Sequence, residues 1–195
     1  MFDMQSSISL KHFLIFSLLL VVVVGAGVAA GIVWTMQRID IHKQWASMVR
    51  EGARFSNHIE SASGLLPIDS ELDTTRKRCL INELDYSDVS LGLLIRLDEE
   101  HEIQLMTIRE MVGTLRYIAA YFSTINVSSV ESLGKTIYDV GVQVNRAYSN
   151  IINYASIDGI NGPPFWYSGP SPPDEAILGE AVSSAVRAQK MLPTT

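Results

Sequence analysis

The chain is nearly free of cysteine: Cys79 is the one thiol in 195 residues. That excludes an intramolecular disulfide, a zinc finger and a redox pair, each of which needs further sulfur ligands at a set spacing. Arg76, Lys77 and Arg78 precede Cys79, and their charge favours the thiolate. The sequence offers it neither a base nor a resolving partner. Cys79 therefore reads as a buried or unengaged side chain beside Leu80 and Ile81, or else as a reactive thiol or one half of an intermolecular bridge. Blocks of one charge sign are also missing. The 15 Lys and Arg and 21 Asp and Glu give a net charge of −6, with no run of five like charges, which argues against an acidic tail or a nucleic-acid arm. The Arg76–Arg78 cluster has no interleaved aromatics and reads as a solvated loop between helices; no nucleic acid is expected as a partner. There is no GxGxxG in a strand–helix frame, no P-loop and no GxSxG elbow, so phosphate-cradling and acyl-transfer chemistry have no visible frame. No internal repeat or long low-complexity tract occurs.

What the chain does have is one long uncharged run. The 22 residues from Phe13 to Trp34 carry no ionisable side chain. As a helix they measure roughly 33 Å at about 1.5 Å per residue, enough to cross a hydrocarbon core of about 30 Å. Lys11 and His12 mark one flank. On the other, Trp34 suits the interface, and Arg38 and Lys43 follow in water. No second such run occurs, so the expectation is a single-pass protein: a tail over 1–12, a transmembrane helix over 13–34, and a folded domain over 35–195. A cleavable signal peptide is the rival, because Val28-Ala29-Ala30 suits a cleavage site. The apolar run continues past that site through Ile32, Val33 and Trp34, and the region before it is weakly basic, so an uncleaved signal anchor is favoured. The flanking charges lean towards a cytoplasmic domain. A short tail before a single span leans towards export, and the bulk of the chain is placed outside the cytoplasm. Gly27 and Gly31 form a GxxxG pattern, which lets two membrane helices approach closely.

Helical periodicity resumes at once. Ile41, Trp45, Met48, Phe55, Ile59 and Ala62 fall on alternating three- and four-residue steps, with Arg38 and Gly52 as weak positions. This coiled-coil-like seam predicts that the anchor helix continues as an amphipathic one, with Ile41, Trp45, Met48, Phe55 and Ile59 as an interaction seam. Gly64 and Pro67 end it. Leu65 to Asp88 reads as a connection, with a short turn of helix near Leu80 to Leu84. A second helix is expected from Asp88 to Ile125, because Leu91, Leu94, Leu105, Ile108, Val112, Leu115, Ala119 and Phe122 keep one register. A third starts at the capping box Ser128-x-x-Glu131 and carries Leu133, Ile137, Val140, Val144 and Ala147. The stretch 161–173 is rich in Pro and aromatics and cannot be helix or central strand. A last helix starts at Pro173, with Pro at its first position and Asp174 and Glu175 in its first turn. The fold class is mainly α, a transmembrane helix followed by a helical bundle.

Candidate chemistry is sparse. Asp98 and His101, three apart and both on the seam, read first as a partly solvated pair, with a polar pocket or a buried, register-setting layer as the alternatives. Di-iron bundles need two Glu-x-x-His copies and two further Glu. Only one approximate copy exists here, so no metal site and no cofactor are expected. Phe165, Trp166 and Tyr167, flanked by prolines, form a possible partner loop, a headgroup contact, or a lid over the end of the bundle. The function expected is non-enzymatic: a single-pass membrane protein whose helical domain mediates protein–protein interaction or assembly. Its partners are membrane lipid and either itself or another membrane protein. The alternatives are a membrane-anchored sensory or ligand-binding domain and, least supported, a metal-dependent bundle enzyme.

Overall fold

A computed structural model describes residues 3–66, 74–121, 130–149 and 173–192. These are almost entirely helical, and no strand occurs among them. The elements are α1 (Asp3–Leu65), α2 (Thr74–Leu97), a 3-10 turn (Glu99–His101), α3 (Glu102–Tyr121), α4 (Val130–Ser149) and α5 (Glu175–Met191). The chain divides into two compact units, Met1–His42 and Lys43–Thr195.

The first unit is the N-terminal part of α1, which is helical from Asp3 onward. Its described side chains from His12 to Gln37 are exposed, except for half-buried Ser17. Among the described residues this is the one helix long and apolar enough to cross a membrane, and none of its apolar window is buried.

The second unit is the helical bundle. Three polar contacts fix α1 against α2: Gln44 Nε2 donates to Leu97 O (2.7 Å), His58 Nδ1 meets Glu83 Oε2 (2.8 Å), and Arg76 Nε donates to Leu65 O (3.1 Å). Position rises along α1 as it falls along α2, so the two are antiparallel. Asp88 with Arg109 and Asp85 with Arg116 make α2 and α3 antiparallel in the same way. Glycines set α1 against α4. A Cβ at Gly141 would lie 3.2 Å from Ile59 Cγ2 and 3.4 Å from the Ser56 backbone, and one at Gly134 would lie 3.4 Å from Ser63 O. At the other end Gly52 of α1 makes room for the Tyr148 ring, 3.3 Å from Tyr148 Cβ. Helices α1 to α4 therefore run up, down, up, down. Helix α5 starts beside the end of α4, where Asp174 N donates to Ala147 O at 2.9 Å, and it packs against both α4 and α3.

The core takes in most of the seams that the periodicity predicts and adds Leu80 and Leu84 of α2, Met111 and Ile118 of α3 and Tyr148 of α4. Met48, Phe55, Ile59 and Ala62 of α1 meet Leu91 and Leu94 of α2, Leu105, Ile108, Val112 and Leu115 of α3, and Leu133, Ile137, Val140 and Val144 of α4, all buried. Burial of each large apolar side chain stabilises by about 1.5–3 kcal/mol. Helix α5 contributes Leu178 and then Ala181, Ala185 and Ala188, small residues that let it lie close to its neighbours.

Four boundaries differ from expectation. The helix predicted over Asp88–Ile125 is two helices. Helix α2 is complete by Leu97, Asp98 leaves helical geometry (φ −124°, ψ 76°), and α3 restarts at Glu102. The run of acids explains the break: Glu99, Glu100 and Glu102 suit a new helix N-terminus, where the macrodipole favours negative charge. The connection predicted over Leu65–Asp88 is mostly helix, since α2 begins at Thr74. The basic cluster is consequently no loop. It lies in the first turns of α2, and Arg76 caps α1 through Leu65 O and Gly64 O. Lastly, Pro173 precedes the cap instead of opening α5. Asp174 is the N-cap and accepts from Ala176 N (3.1 Å) and Ile177 N (3.2 Å). Ser128, Phe122 and Ile125 lie outside the described residues.

Candidate functional site

The α2–α3 turn holds the most organised polar group. Asp98 and His101 are each 5% exposed, and Tyr148 is 0% exposed. His101 Nδ1 donates to the Asp98 carboxylate at 2.9 and 3.1 Å, and Tyr148 Oη donates to Asp98 Oδ2 at 2.6 Å. These bonds satisfy a carboxylate that would otherwise be costly to bury. They also tie the turn to the last part of α4, fifty positions away. Burial and the Asp98 hydrogen bond push the Tyr148 hydroxyl far above an ordinary phenol, because both penalise the phenolate. With Nδ1 committed, His101 turns Nε2 outward, 4.0 Å from Oε1 of exposed Glu175 at the start of α5. Among the described residues no three His, Cys, Asp or Glu side chains converge as metal ligands. Chemically the cluster is a buried staple with one ring nitrogen left over.

The sequence favours a partly solvated pair at Asp98 and His101; both are instead buried, on a turn and not on a helix face, because Tyr148 of α4 closes over the Asp98 carboxylate. Tyr148 went unnoticed because it sits one residue off the Val144–Ala147 register. Its signal was Gly52, the weak step in the first seam, since a helix omits a side chain where a neighbour's large one must fit. Two buried side-chain oxygens, Glu51 Oε2 and Gln143 Oε1, have no hydrogen-bond partner; Glu51 Oε1 receives Arg54 Nη1 at 2.9 Å.

The other predicted positions separate into three groups. Gly27 and Gly31 have no atom within 4 Å of a built Cβ, so that face of the apolar helix is open. Of the interaction seam, Met48, Phe55 and Ile59 are buried in the chain's own core, Trp45 is half-buried against it, and Ile41 is 45% exposed. Phe165, Trp166 and Tyr167 lie outside the described residues.

Sequence reasoning also missed the outer face of α2 and α3. Tyr86, Val89 and Leu93 of α2 and Ile103, Met106, Tyr117 and Tyr121 of α3 are all exposed. Between the two helices runs a cleft of about 810 Å³ lined by Val89, Gly113, Tyr117 and Tyr121 among others. The charges beside it are paired across the two helices. Arg109 grips both oxygens of Asp88 (2.6 and 2.9 Å), holding that carboxyl below the usual range, and Arg116 engages Asp85. The missing signal is ordinary: an isolated exposed Leu or Tyr means little, and only the packed α2–α3 hairpin brings Val89 beside Tyr117 and Tyr121.

Comparison with protein-family models, with curated proteins and with solved structures gave no match.

Proposed function

We propose that this chain is a non-enzymatic, membrane-tethered interaction module. In this reading Phe13–Trp34 spans the bilayer once, and the helical bundle, on the extracytoplasmic side, presents a surface for protein assembly. One observation carries the proposal. The chain joins an apolar helix with none of its apolar window buried to a bundle that satisfies its own core yet leaves apolar side chains clustered on α2 and α3. Exposed apolar clusters of that kind mark interaction sites more often than chance surface. Gly27 and Gly31 supply a smooth face for close approach of a second membrane helix.

The tether is tested by alkaline carbonate extraction of membranes holding the full chain. The protein stays in the pellet, and Val22→Arg shifts part of it to the soluble fraction, since an Arg near the centre costs roughly 2.5–3.5 kcal/mol on the insertion scale. Wild-type protein recovered in the soluble fraction would refute the tether. Gly27→Ile with Gly31→Ile lowers in-membrane association by photobleaching if the glycine face is used.

A second reading rests on His101. Its Nε2, 4.0 Å from the exposed Glu175 carboxylate, is the atom of the cluster at which a small ligand would bind. A ligand-dependent rise in melting temperature that disappears in His101→Ala would favour it over assembly.

A further inference from the structure

Helix α2 carries two stripes. The inner one, Leu80, Leu84, Ser87, Leu91 and Leu94, is buried and advances by alternating steps of four and three. The outer one, Cys79, Asn82, Tyr86, Val89 and Leu93, advances by the same alternation and is exposed. Tyr86 is 58% exposed, Val89 59% and Leu93 39%. A surface helix normally turns charged and polar residues outward. Here the outward face has the spacing of a coiled-coil seam, with a single Asn among its larger side chains.

We propose that a second copy of this chain docks on the outer stripe, the two α2 helices running parallel about a two-fold axis with Cys79, Asn82, Tyr86, Val89 and Leu93 as their seam. Charge complementarity selects this occupant and this direction. In a parallel pair, Arg78 stands five positions before Glu83 of the second copy, the spacing at which flanking residues of parallel seams meet. Glu83 uses Oε2 for His58 and retains Oε1 for that contact. Asn82 faces Asn82 of the second copy, where two amides can hydrogen-bond each other. A parallel pair opposes Arg96 to Arg96 once, at the end of the seam, whereas an antiparallel pair centred on Tyr86 opposes Arg96 to the Arg76–Arg78 cluster at both ends. The nearby carboxylates Asp85 and Asp88 are already paired with Arg116 and Arg109, so covering the face strands neither of them.

A seam of one helix per copy is narrow against the roughly 800 Å² per partner of a stable interface. Two features offset this. The α2–α3 cleft brings Tyr117 and Tyr121 alongside Val89 and widens the patch. The membrane tether, on which this part of the inference rests, raises the effective concentration of one copy near another.

Cys79 makes the arrangement directly readable, because it is the chain's one cysteine and is exposed. Membranes holding the full chain are treated with copper(II) phenanthroline. Two Cys79 thiols join as a disulfide, losing two protons and two electrons to the copper and dioxygen. The expected result is a reducible band at twice the chain mass. Val89→Glu with Leu93→Glu lowers that band by about tenfold or more, since burying unpaired carboxylates at the seam is costly. Circular dichroism of the same variant stays helical, because both side chains already face solvent. The pairing is overturned if wild type gives no such band, if the double variant cross-links equally, or if the band has another mass, which would mean that a different protein covers α2. Preferential cross-linking of wild type to Cys79→Ser/Leu93→Cys chains overturns the parallel direction. Carbonate extraction of the same membranes reads the tether separately: a band that persists in extractable protein supports the pairing while refuting the membrane reading.

Discussion

Gly141→Ala tests how closely α1 and α4 approach, and Gly113→Ala is its control. Both glycines lie inside helices, so both substitutions gain the same helix propensity, about 0.8–1 kcal/mol. Their surroundings differ. A Cβ at Gly113 meets nothing within 4 Å, whereas one at Gly141 meets Ile59 Cγ2 at 3.2 Å and the Ser56 Cα and O at 3.4 Å. Ile59 is fully buried, and the Ser56 atoms are backbone, so neither yields cheaply. Overpacking of this kind costs about 1–3 kcal/mol. Gly113→Ala is therefore expected to stabilise by about 0.5–1 kcal/mol, and Gly141→Ala to destabilise by about 1 kcal/mol after its propensity gain. At about 2–4 °C per kcal/mol for a chain of this size, the two melting temperatures separate by about 3–8 °C. The assay is thermal unfolding of the detergent-solubilised full chain, followed by circular dichroism. If both variants are stabilised alike, α4 does not press on α1 at Ser56 and Ile59, and the antiparallel register of the bundle is wrong.

The buried cluster makes two further predictions. The Tyr148 hydroxyl holds its proton in the folded chain well past the point, near pH 10, where an unfolded tyrosine releases it. Above about pH 10 the unfolded state binds fewer protons than the native one, so stability falls as pH rises, by about 1.4 kcal/mol per pH unit from this group. Tyr148→Phe is less stable at neutral pH by about 1 kcal/mol but lacks that alkaline slope. Urea melts at pH 8 and pH 11 check both signs, and parallel losses in the two proteins refute the assignment. Asp98→Ala leaves the Tyr148 hydroxyl and the His101 ring nitrogen buried without their shared acceptor, at a cost of about 2–4 kcal/mol in the same melts. A loss under about 0.5 kcal/mol would mean that the staple does not hold the turn.

The long uncharged helix and most of the core stripes are legible in the residue pattern alone. Twenty-two residues without an ionisable group state their apolar character at any register. Leu133, Ile137, Val140 and Val144 repeat at helical spacing whatever they pack against. These are local properties, and periodicity reads them because side-chain direction along a helix is fixed by the backbone. The start of the last helix was legible to within two residues, since the Pro-Asp-Glu signal is local as well. The tertiary structure decided where the long second pattern breaks, because one unbroken register suits a single rod and a hairpin equally well. Only the folding of α2 onto α3 buries both stripes at once. It decided that Arg76 caps α1 and that Tyr148 reaches Asp98 from fifty positions away. It also brought the exposed Val89 of α2 beside Tyr117 and Tyr121 of α3. Each of those is a contact between distant segments, set by which faces meet when the helices pack, and no spacing along the chain records that choice.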